Sequence, residues 1–426
     1  MRKTASLLLL ILLPSIQAMA GDTWPAFRGP SGQGYSAEKN LPQTWGGPNS
    51  ENILWKSALP GTLTKAKADH NQSSPIVWKD RLFTTSACWP EGVPQTAFPE
   101  HHVTCHEATT GKWLWDVLVP PGPWQLKDLR GGYAAPTPCT DGTRVYALFG
   151  SSVLAALDFS GRLVWRREVA PFGWDVAIGS SPVLTPDAVL VLADGAKPAH
   201  SRLIALDPAT GNIKWERKRP EANFNHTTPF MITVQGKSQL VVASSGAIQG
   251  LDPADGAAIW WAKNKGDVPT PAFGGGLVYC DDGRGGPGMA VDPTGTGDLT
   301  ATHVRWRTSA IPEVFSSPII AGDHVYRTHH PGILKCFALD TGKIVFTERL
   351  PGGVTTSASP VVTADGLLYF ASGGKSAVMR VGPRFEVLAT NDLSDGSAAS
   401  PAIAHGRLYI KGGRYLYCIG KPGVSP

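Results

Sequence analysis

The sequence predicts an all-β fold, an eight-bladed β-propeller of four-stranded antiparallel blades, from three observations. The first is a pattern of short apolar runs separated by turn residues, which is clearest between residues 180 and 229. Runs at 189–192, 203–206 and 213–215 have the length of strands, and each break between them carries turn residues. This unit is therefore predicted to be a small antiparallel meander.

The second observation is that the unit recurs along the chain. A small residue followed by proline begins each copy, and the intervals between these prolines run from 41 to 61 residues. A period in the forties with four strands per unit is typical of propeller blades, because one such sheet must stack on neighbours to bury both faces. The starts are Pro75, Pro136, Pro182, Pro229, Pro271, Pro318, Pro360 and Pro401.

The third observation is that the two ends of the repeat region are incomplete in complementary ways. Residues 53–56 resemble the last strand of a blade that lacks its first three strands, and residues 400–419 supply three strands without a fourth. One blade shared between the two ends would close the ring and remove free sheet edges. Seven complete units and this shared blade give eight.

A large aromatic residue closes most units. An indole at the same place in successive blades is expected to pack between neighbouring sheets and to contribute about 2–3 kcal/mol of apolar burial. We predict that these tryptophans are structural docking residues. They are Trp55, Trp115, Trp165, Trp215, Trp260 and Trp306, with Phe346 in the equivalent place.

The start of the chain has the pattern of a secretory signal. Arg2 and Lys3 precede an apolar run at 7–13 and a small-x-small site at 18–20, so residues 1–20 are predicted to be removed after Ala20. The run is too short to span a bilayer, and no later stretch approaches that length. We expect an exported protein, periplasmic or extracellular, without a transmembrane span. Residues 21–50 contain three aromatics and are expected to pack on the body as a lead-in to the propeller at 51–426.

Composition limits the classes of partner. The chain has 48 glycines and 36 prolines, and only 17% of its residues are charged, which suits buried sheet with frequent turns. Its formal net charge of +5 falls to +3 without Arg2 and Lys3, which is too weak a charge for nucleic-acid binding. The six cysteines form no disulfide framework, and Cys105 and Cys418 occupy positions where other units have small residues.

Residues 205–215 read Ala-Leu-Asp-Pro-Ala-Thr-Gly-Asn-Ile-Lys-Trp, with partial copies at 107–115, 158–165, 252–260 and 340–346. This motif resembles the tryptophan-docking repeat of the pyrroloquinoline quinone (PQQ)-like propellers, and the resemblance extends over nearly all of residues 51–420. The family has two functional kinds. Quinoprotein dehydrogenases bind PQQ and Ca²⁺ and oxidise alcohols or sugars, whereas BamB-like members bind no cofactor and act as scaffolds in outer-membrane protein assembly.

The dehydrogenases usually carry a pair of adjacent cysteines under the quinone, and often a Cys-x-x-Cys-His haem site. This sequence has neither, and its length leaves no room for the insertions that build their active site. The resemblance therefore implies a BamB-like scaffold without a cofactor, a monomer that binds a protein or a cell-envelope component. The alternative is a PQQ- and Ca²⁺-dependent dehydrogenase, for which the Ca²⁺ ligand candidates are Asp175, Asn225 and Glu313.

Loops at one end of a propeller meet around the channel mouth, and polar or aromatic residues that converge there are ligand-site candidates. We predict no catalytic residues and no metal site. His102 and His106 would share one face of a strand while His101 points to the other, and 281–286 fits an ordinary strand connection. The candidates at the mouth are His70, Gln72, Trp174, Asp175, Asn225, His226, Glu313, Phe315, His329 and His330.

Overall fold

The structure is a computed structural model that describes residues 21–61, 71–169, 176, 178–264, 266–354 and 357–423. The predicted signal peptide, residues 1–20, lies outside the described residues, as do three candidate site residues, His70, Trp174 and Asp175. Among the described residues, no helix has the length and apolar character needed to cross a membrane.

The described strands form eight separate sheets, each with a core of four strands in meander order. This arrangement confirms the predicted eight-bladed β-propeller. Three strands precede the first blade: β1 (Thr23–Trp24), β2 (Tyr35–Ser36) and β3 (Ile53–Ala58). Blade 1 consists of β4 (Ile76–Trp78), β5 (Arg81–Cys88), β6 (Glu100–Glu107) and β7 (Trp113–Val119), and blade 2 of β8 (Cys139–Thr140), β9 (Arg144–Phe149), β10 (Val153–Asp158) and β11 (Leu163–Glu168). Blade 3 consists of β12 (Val183–Leu184), β13 (Val189–Ala193), β14 (Arg202–Leu206) and β15 (Ile213–Lys218), and blade 4 of β16 (Phe230–Val234), β17 (Lys237–Ala243), β18 (Ala247–Leu251) and β19 (Ala258–Lys263).

The second half of the ring follows the same order. Its strands are β20 (Ala272–Gly274), β21 (Leu277–Cys280), β22 (Pro287–Val291) and β24 (Val304–Ala310) in blade 5, with β23 (Gly297–Asp298) in its insertion; β25 (Ile319–Ala321), β26 (His324–His329), β27 (Ile333–Ala338) and β28 (Ile344–Arg349) in blade 6; β29 (Val361–Thr363), β30 (Leu367–Phe370), β31 (Lys375–Arg380) and β32 (Val387–Asp392) in blade 7; and β33 (Ala402–Ala404), β34 (Arg407–Lys411) and β35 (Tyr415–Ile419) in blade 8. Two short 3-10 turns, Pro198–His200 and Pro351–Gly353, accompany them.

Blade 8 is shared between the two ends of the chain, as predicted. Strand β3 pairs antiparallel with β35, from Ile53 opposite Ile419 to Ala58 opposite Tyr415. Blade 5 has an insertion between β22 and β24, and its short strand β23 pairs in parallel with β19 of blade 4. This pairing protects the outer edge of blade 4.

A ring of hydroxyl groups joins the innermost strands around the axis. The residue before each starting proline is Ser or Thr, and at every start except Ser317 its side-chain oxygen accepts a hydrogen bond from the equivalent backbone N–H of the preceding blade. In blade 2 this residue is Thr137, so the structural start is Pro138 rather than the predicted Pro136. Seven such bonds of 2.9–3.1 Å connect Ser74 to Thr137, Thr137 to Ser181, Ser181 to Thr228, Thr228 to Thr270, Ser317 to Ser359, Ser359 to Ser400 and Ser400 to Ser74.

The repeated tryptophans lie between blades. The Trp165 indole N–H donates to the Pro208 carbonyl in the turn of the next blade, and its ring covers Gly211 of the same turn. Trp55, Trp115 and Trp306 donate in the same way to Ala108, Phe159 and Leu339. Trp260 is also buried but differs, because its N–H donates to Gln239 within its own sheet.

The lead-in enters the central channel rather than lying on the outside. Strand β1 pairs with β4 of blade 1, and β2 pairs with β29 of blade 7; β4 and β29 are the innermost strands of their blades. Between β1 and β2, the chain forms a compact loop whose Gly34 N–H donates to the Arg28 carbonyl at 2.8 Å. The segment thus turns back inside the channel.

Arg28 anchors this loop. Its side chain is 1% exposed, and Nη2 donates to the backbone carbonyls of Pro318 at 2.6 Å and Gln33 at 2.9 Å. Burial, together with the nearby charge of Arg327, lowers the pKa of Arg28 to about 9. Gln33 in turn accepts the backbone N–H of Phe273 at 2.6 Å. These contacts with blades 5 and 6 hold the loop between β1 and β2 inside the channel. The loop therefore forms a plug that closes the end of the channel at which β4 ends.

Candidate functional site

The opposite side of the propeller carries the loops that precede the Ser/Thr-Pro starts and the loops between second and third blade strands. We call this side the funnel face. Seven of the ten predicted site residues are described, and all seven lie in these loops or at the strand ends beside them: Gln72, Asn225, His226, Glu313, Phe315, His329 and His330.

Asn225 belongs to a buried network and does not face solvent. Its Nδ2 donates to Asp194 at 2.8 Å, and its Oδ1 accepts the Thr227 backbone N–H at 2.9 Å. Arg219 donates to the other Asp194 oxygen at 2.9 Å and to Gln249 of blade 4 at 2.9 Å. These residues are almost fully buried, and Asn225 also donates to the Ala243 carbonyl of blade 4, so it connects blades 3 and 4.

Two further basic side chains, Arg327 and Lys411, are fully buried. Arg327 of blade 6 makes a two-pronged contact with Asp281 of blade 5, with both distances at 2.7 Å. Lys411 of blade 8 donates to the Ser73 hydroxyl at 2.7 Å and the Thr85 carbonyl at 2.6 Å. Burial lowers the pKa of Lys411 to about 7. These contacts fasten neighbouring blades below the funnel face.

The histidines of the funnel face are also held by backbone groups. His226 Nδ1 accepts the Gly179 N–H at 3.1 Å, and burial with the nearby Arg284 charge lowers its pKa to about 3. His329 Nδ1 contacts the His330 carbonyl at 2.9 Å, and burial again lowers the pKa. His330 itself is exposed, and its backbone N–H donates to the Glu313 carbonyl at 3.2 Å. Because its pKa is lowered to about 3, the His226 side chain is uncharged at neutral pH.

Two phenylalanines project from the funnel face. Phe315 is 61% exposed and Phe224 is 44% exposed. The surrounding charges include Glu313 and Arg130, which is held by Asp128 at 2.5 Å. The Asp128 hydrogen bond raises the pKa of Arg130, and the negative charge of Glu313 adds to this effect. The face therefore combines exposed aromatic surface with charges of both signs.

Two cavities in the described part of the chain lie away from the predicted ligand residues that the structure describes. A cavity of about 210 Å³ is lined by residues that include Lys375 and Asn391, and one of about 170 Å³ by residues that include Arg202 and Glu216. Both are smaller than the 300–1,000 Å³ typical of small-molecule pockets. Neither is lined by any of the seven predicted site residues that the structure describes.

The Ca²⁺ ligand set of the dehydrogenase alternative does not fit the described residues. Asn225 has both ends of its amide committed to protein groups, while Glu313 is exposed on the rim. Asp175 lies outside the described residues. A Ca²⁺ site needs several oxygen ligands that converge on one point, and Asn225 and Glu313 do not provide that arrangement.

The three histidines of β6 separate as the strand pattern predicts. His101 faces blade 2, where Nε2 lies 2.8 Å from the Ser151 hydroxyl, and His106 faces blade 8, where Nδ1 lies 3.4 Å from Ser57 Oγ. Burial lowers the pKa of His101 and of His106 to about 4. His101 and His106 are therefore neutral side chains that pack between blades.

His102 has different surroundings that the sequence spacing did not indicate. Its Nδ1 lies 3.0 Å from both Asp116 oxygens, and its Nε2 lies 3.4 Å from Glu100 Oε2. Cys88 lies in β5 opposite Glu100 and completes the cluster. Burial lowers the pKa of His102, but Asp116 and Cys88 more than offset this and raise it to about 10. The sequence feature that could have revealed these surroundings is the pairing of β5 with β6, because it brings residues that are 12 to 16 positions apart next to each other.

All six cysteines are described, buried and unpaired. Burial raises the pKa of the Cys105 thiol to about 12, with the same direction at Cys139, Cys280, Cys336 and Cys418. Cys105 and Cys418 are thus buried at positions where other units have small residues, and the other three have the same buried environment. Cys88 is the sixth, and it alone belongs to the His102 cluster.

Comparison with known proteins agrees with the fold. The chain is 21% identical to the outer membrane protein assembly factor BamB of Moranella endobia over 56% of its own length and 62% of that relative. It is also 21% identical to BamB of Bordetella pertussis, over 78% and 76% of the two chains. The alignment with the Moranella protein thus spans less than two thirds of that protein.

Solved structures show the same architecture. The crystal structure of BamB from Moraxella catarrhalis superimposes with a TM-score of 0.59 at 15% identity, covering 87% of this chain and 98% of that one. A europium-containing methanol dehydrogenase superimposes with a TM-score of 0.69 at 13% identity, covering 94% and 98%. The family described as outer membrane protein assembly factor BamB matches residues 99–348, more than half of the chain. The chain therefore belongs to this BamB-like family of PQQ-like β-propellers.

Proposed function

We propose that the protein is an exported scaffold in outer-membrane protein assembly, and that it binds a protein partner through the funnel face. Family membership supports the process, since both curated relatives are assembly factors. The observation that carries the proposal is the exposure of Phe315 and Phe224 on the face opposite the closed end of the channel.

The chemistry of the funnel face suits a protein partner. Exposed aromatic side chains surrounded by charged groups are typical of protein interfaces, where aromatics supply most of the buried area and the charged rim sets orientation. Phe315 with Phe224 would supply the apolar contact, and Arg130 with Glu313 would supply complementary charges at the rim. A partner that covers the mouth would bury all four side chains together.

The alternative function is a PQQ- and Ca²⁺-dependent oxidation of alcohols or sugars. The likeness to the methanol dehydrogenase, at 13% identity, concerns the fold alone. Calorimetric titration of the purified chain with PQQ and Ca²⁺ separates the two functions. The scaffold proposal predicts no saturable binding, whereas binding at micromolar concentration or tighter would favour the dehydrogenase.

A genetic experiment tests the scaffold proposal directly. Deleting the gene in the source organism should lower the amount of correctly assembled outer-membrane proteins, and a wild-type copy should restore it. A copy with Phe224→Ala and Phe315→Ala should fail to restore assembly, although it should fold normally because both side chains are largely exposed.

The matched control is Ile344→Ala. Ile344 is 58% exposed, close to the value for Phe315, but lies on the outermost strand of blade 6 near its turn. This variant should restore assembly fully. Unchanged outer-membrane proteins after deletion would contradict the scaffold proposal, and full restoration by the double variant would exclude the two phenylalanines as contact residues.

A further inference from the structure

The cluster around His102 lies on the face of blade 1 that packs against blade 8. Strand alternation places His102 on the same side of β6 as His106, and His106 contacts Ser57 of blade 8. Cys88 ends β5 and Glu100 begins β6, so both flank the loop that joins these strands. Three side chains of different chemistry therefore meet at one end of the sheet.

The distances among their ligand atoms are those of a metal-binding set. In the described part of the chain, this is the one trio of His, Cys and acidic residues whose ligand atoms all lie within 4.8 Å of one another. His102 Nε2 and Glu100 Oε2 are 3.4 Å apart. Two ligands about 2.0–2.1 Å from a tetrahedral Zn²⁺ are separated by roughly 3.3 Å, so this pair needs almost no rearrangement.

A second observation concerns the way in which His102 is held. The His102 side chain is about nine-tenths buried, and its Nε2 forms no hydrogen bond of good geometry among the described residues, with Glu100 Oε2 at the ion-pair distance of 3.4 Å. Its Nδ1 lies 3.0 Å from both oxygens of Asp116. A carboxylate that holds one imidazole nitrogen fixes the ring and leaves the other nitrogen for a metal, which is the usual outer-shell arrangement of metal-bound histidine.

We propose that Cys88, Glu100 and His102 bind a divalent transition metal, with Zn²⁺ the best fit, and that Asp116 is a positioning residue. Thiolate, imidazole and carboxylate are the three ligand types that Zn²⁺ takes in proteins. Binding releases the Cys88 thiol proton and any proton on His102 Nε2, because both ligands must be deprotonated. Three protein ligands leave a fourth position for water or a further group. The metal would tie the ends of β5 and β6 together.

Titration of the chelator-treated full chain with Zn²⁺ tests this site, with Co²⁺ as a spectroscopic probe. We expect one equivalent of saturable Zn²⁺ binding, and thiolate-to-cobalt charge-transfer absorption with Co²⁺. Cys88→Ser should abolish the charge-transfer band. Asp116→Asn should weaken binding by about 10- to 100-fold while leaving the band in place, as expected for an outer-shell carboxylate.

Two variants keep the test independent of folding. Glu100→Gln changes a partly exposed side chain and should weaken Zn²⁺ binding without altering the fold. His106→Gln removes a histidine on the same face of β6 and should leave binding intact. Zn²⁺ should also protect Cys88 from alkylation. The proposal is overturned if wild type shows no saturable binding, if binding survives in both Cys88→Ser and Glu100→Gln, or if alkylation of Cys88 is equally fast with and without Zn²⁺.

Discussion

At the scale of single residues, the distinctive feature is a set of buried basic side chains at contacts between blades. Arg219 and Arg327 are each fully buried with an aspartate partner, whereas Lys411 is buried against a hydroxyl and a carbonyl. A buried ion pair adds little net stability, but the loss of one partner leaves a charge without compensation. The three positions therefore respond differently to substitution.

Replacing Asp281 should be strongly destabilising. Asp281→Asn removes the negative charge that both Arg327 nitrogens contact, and we expect a loss of about 3–5 kcal/mol in the free energy of unfolding. The control is Glu386→Gln, which breaks an exposed pair with Arg380 and should cost about 0.2–1 kcal/mol. Urea denaturation measures both, and equal losses would contradict the assignment of Asp281 to a buried pair.

From the lowered pKa of the buried Lys411 side chain, we predict that the free energy of unfolding depends on pH. Its pKa in the folded protein is lowered to about 7, so at higher pH the folded chain has released a proton that the unfolded chain still holds. Stability should therefore rise as pH increases from about 7 towards 10.

Between pH 7.5 and pH 9.5, wild type should gain about 2–3 kcal/mol more than Lys411→Met, which lacks the titrating group. Lys237→Met, at an exposed lysine of β17, should behave like wild type. Denaturation curves at the two pH values decide the matter, and parallel behaviour of wild type and Lys411→Met would show that Lys411 remains charged when folded.

Strand alternation allowed the directions of side chains within a blade to be predicted, whereas contacts between blades could not be predicted. The opposite directions of His101 and His102 follow from the strand period. Asn225, in contrast, was a ligand candidate because it precedes a blade start, yet its partners Asp194 and Ala243 belong to blades 3 and 4. Contacts between neighbouring sheets are not encoded in local spacing, so the sequence did not show that Asn225 is buried.

At the scale of elements, most blades depend on the fit between a tryptophan and the turn of the next blade. Gly211 has φ of +69°, and a Cβ atom at this position would lie 2.7 Å from the Trp165 ring. The left-handed conformation alone disfavours a side chain, and the ring leaves no room for one. Glycine at the turn is thus required for two separate reasons.

Gly211→Ala should lower the free energy of unfolding by about 2–4 kcal/mol, as the sum of backbone strain and overpacking. Gly236→Ala is the matched control, because Gly236 has φ of +76° but a Cβ atom added there would meet no other atom within 4 Å. It should show only the strain, about 1–2 kcal/mol. Thermal denaturation of the two variants measures the difference, and equal shifts would mean that Trp165 does not restrict the turn.

The repeat allowed most elements to be predicted, since turn residues and apolar runs are local signals. The hydroxyl ring is local as well, because a Ser or Thr stands before each structural start; Pro136 was misassigned because Pro138 follows it closely. Trp260 departs from the docking pattern where the blade 5 insertion replaces the regular turn with β23. An insertion in one blade thus alters its neighbour, and the repeat gave no sign of it.

At the scale of the whole molecule, the lead-in joins distant blades by filling the channel. Arg28 contacts Pro318, which lies 290 positions later, and Trp24 is 1% exposed beside the innermost strand of blade 1. The aromatics of this segment indicated packing, but its location in the channel depends on contacts across the ring. No sequence pattern reports such contacts, so closure of one channel end could not be predicted.

Removing the aromatic anchors of the lead-in should destabilise the propeller. Trp24→Ala with Phe27→Ala should lower the free energy of unfolding by at least about 3 kcal/mol, because Trp24 is fully buried. Tyr35→Ala is the control, since Tyr35 lies in the same segment but is 51% exposed. Calorimetric melting compares the variants, and an unchanged melting temperature in the double variant would show that the lead-in does not stabilise the ring.

Site-specific photo-crosslinking in the source organism tests the central functional claim most directly. A photoreactive amino acid at Phe315 should give covalent adducts with a component of outer-membrane protein assembly, while the same probe at Ile344, equally exposed but away from the funnel face, should not. This result would establish the funnel face as the surface that binds the partner. Adducts at Ile344 with none at Phe315 would contradict the account and move the interaction to the outer edge of the blades.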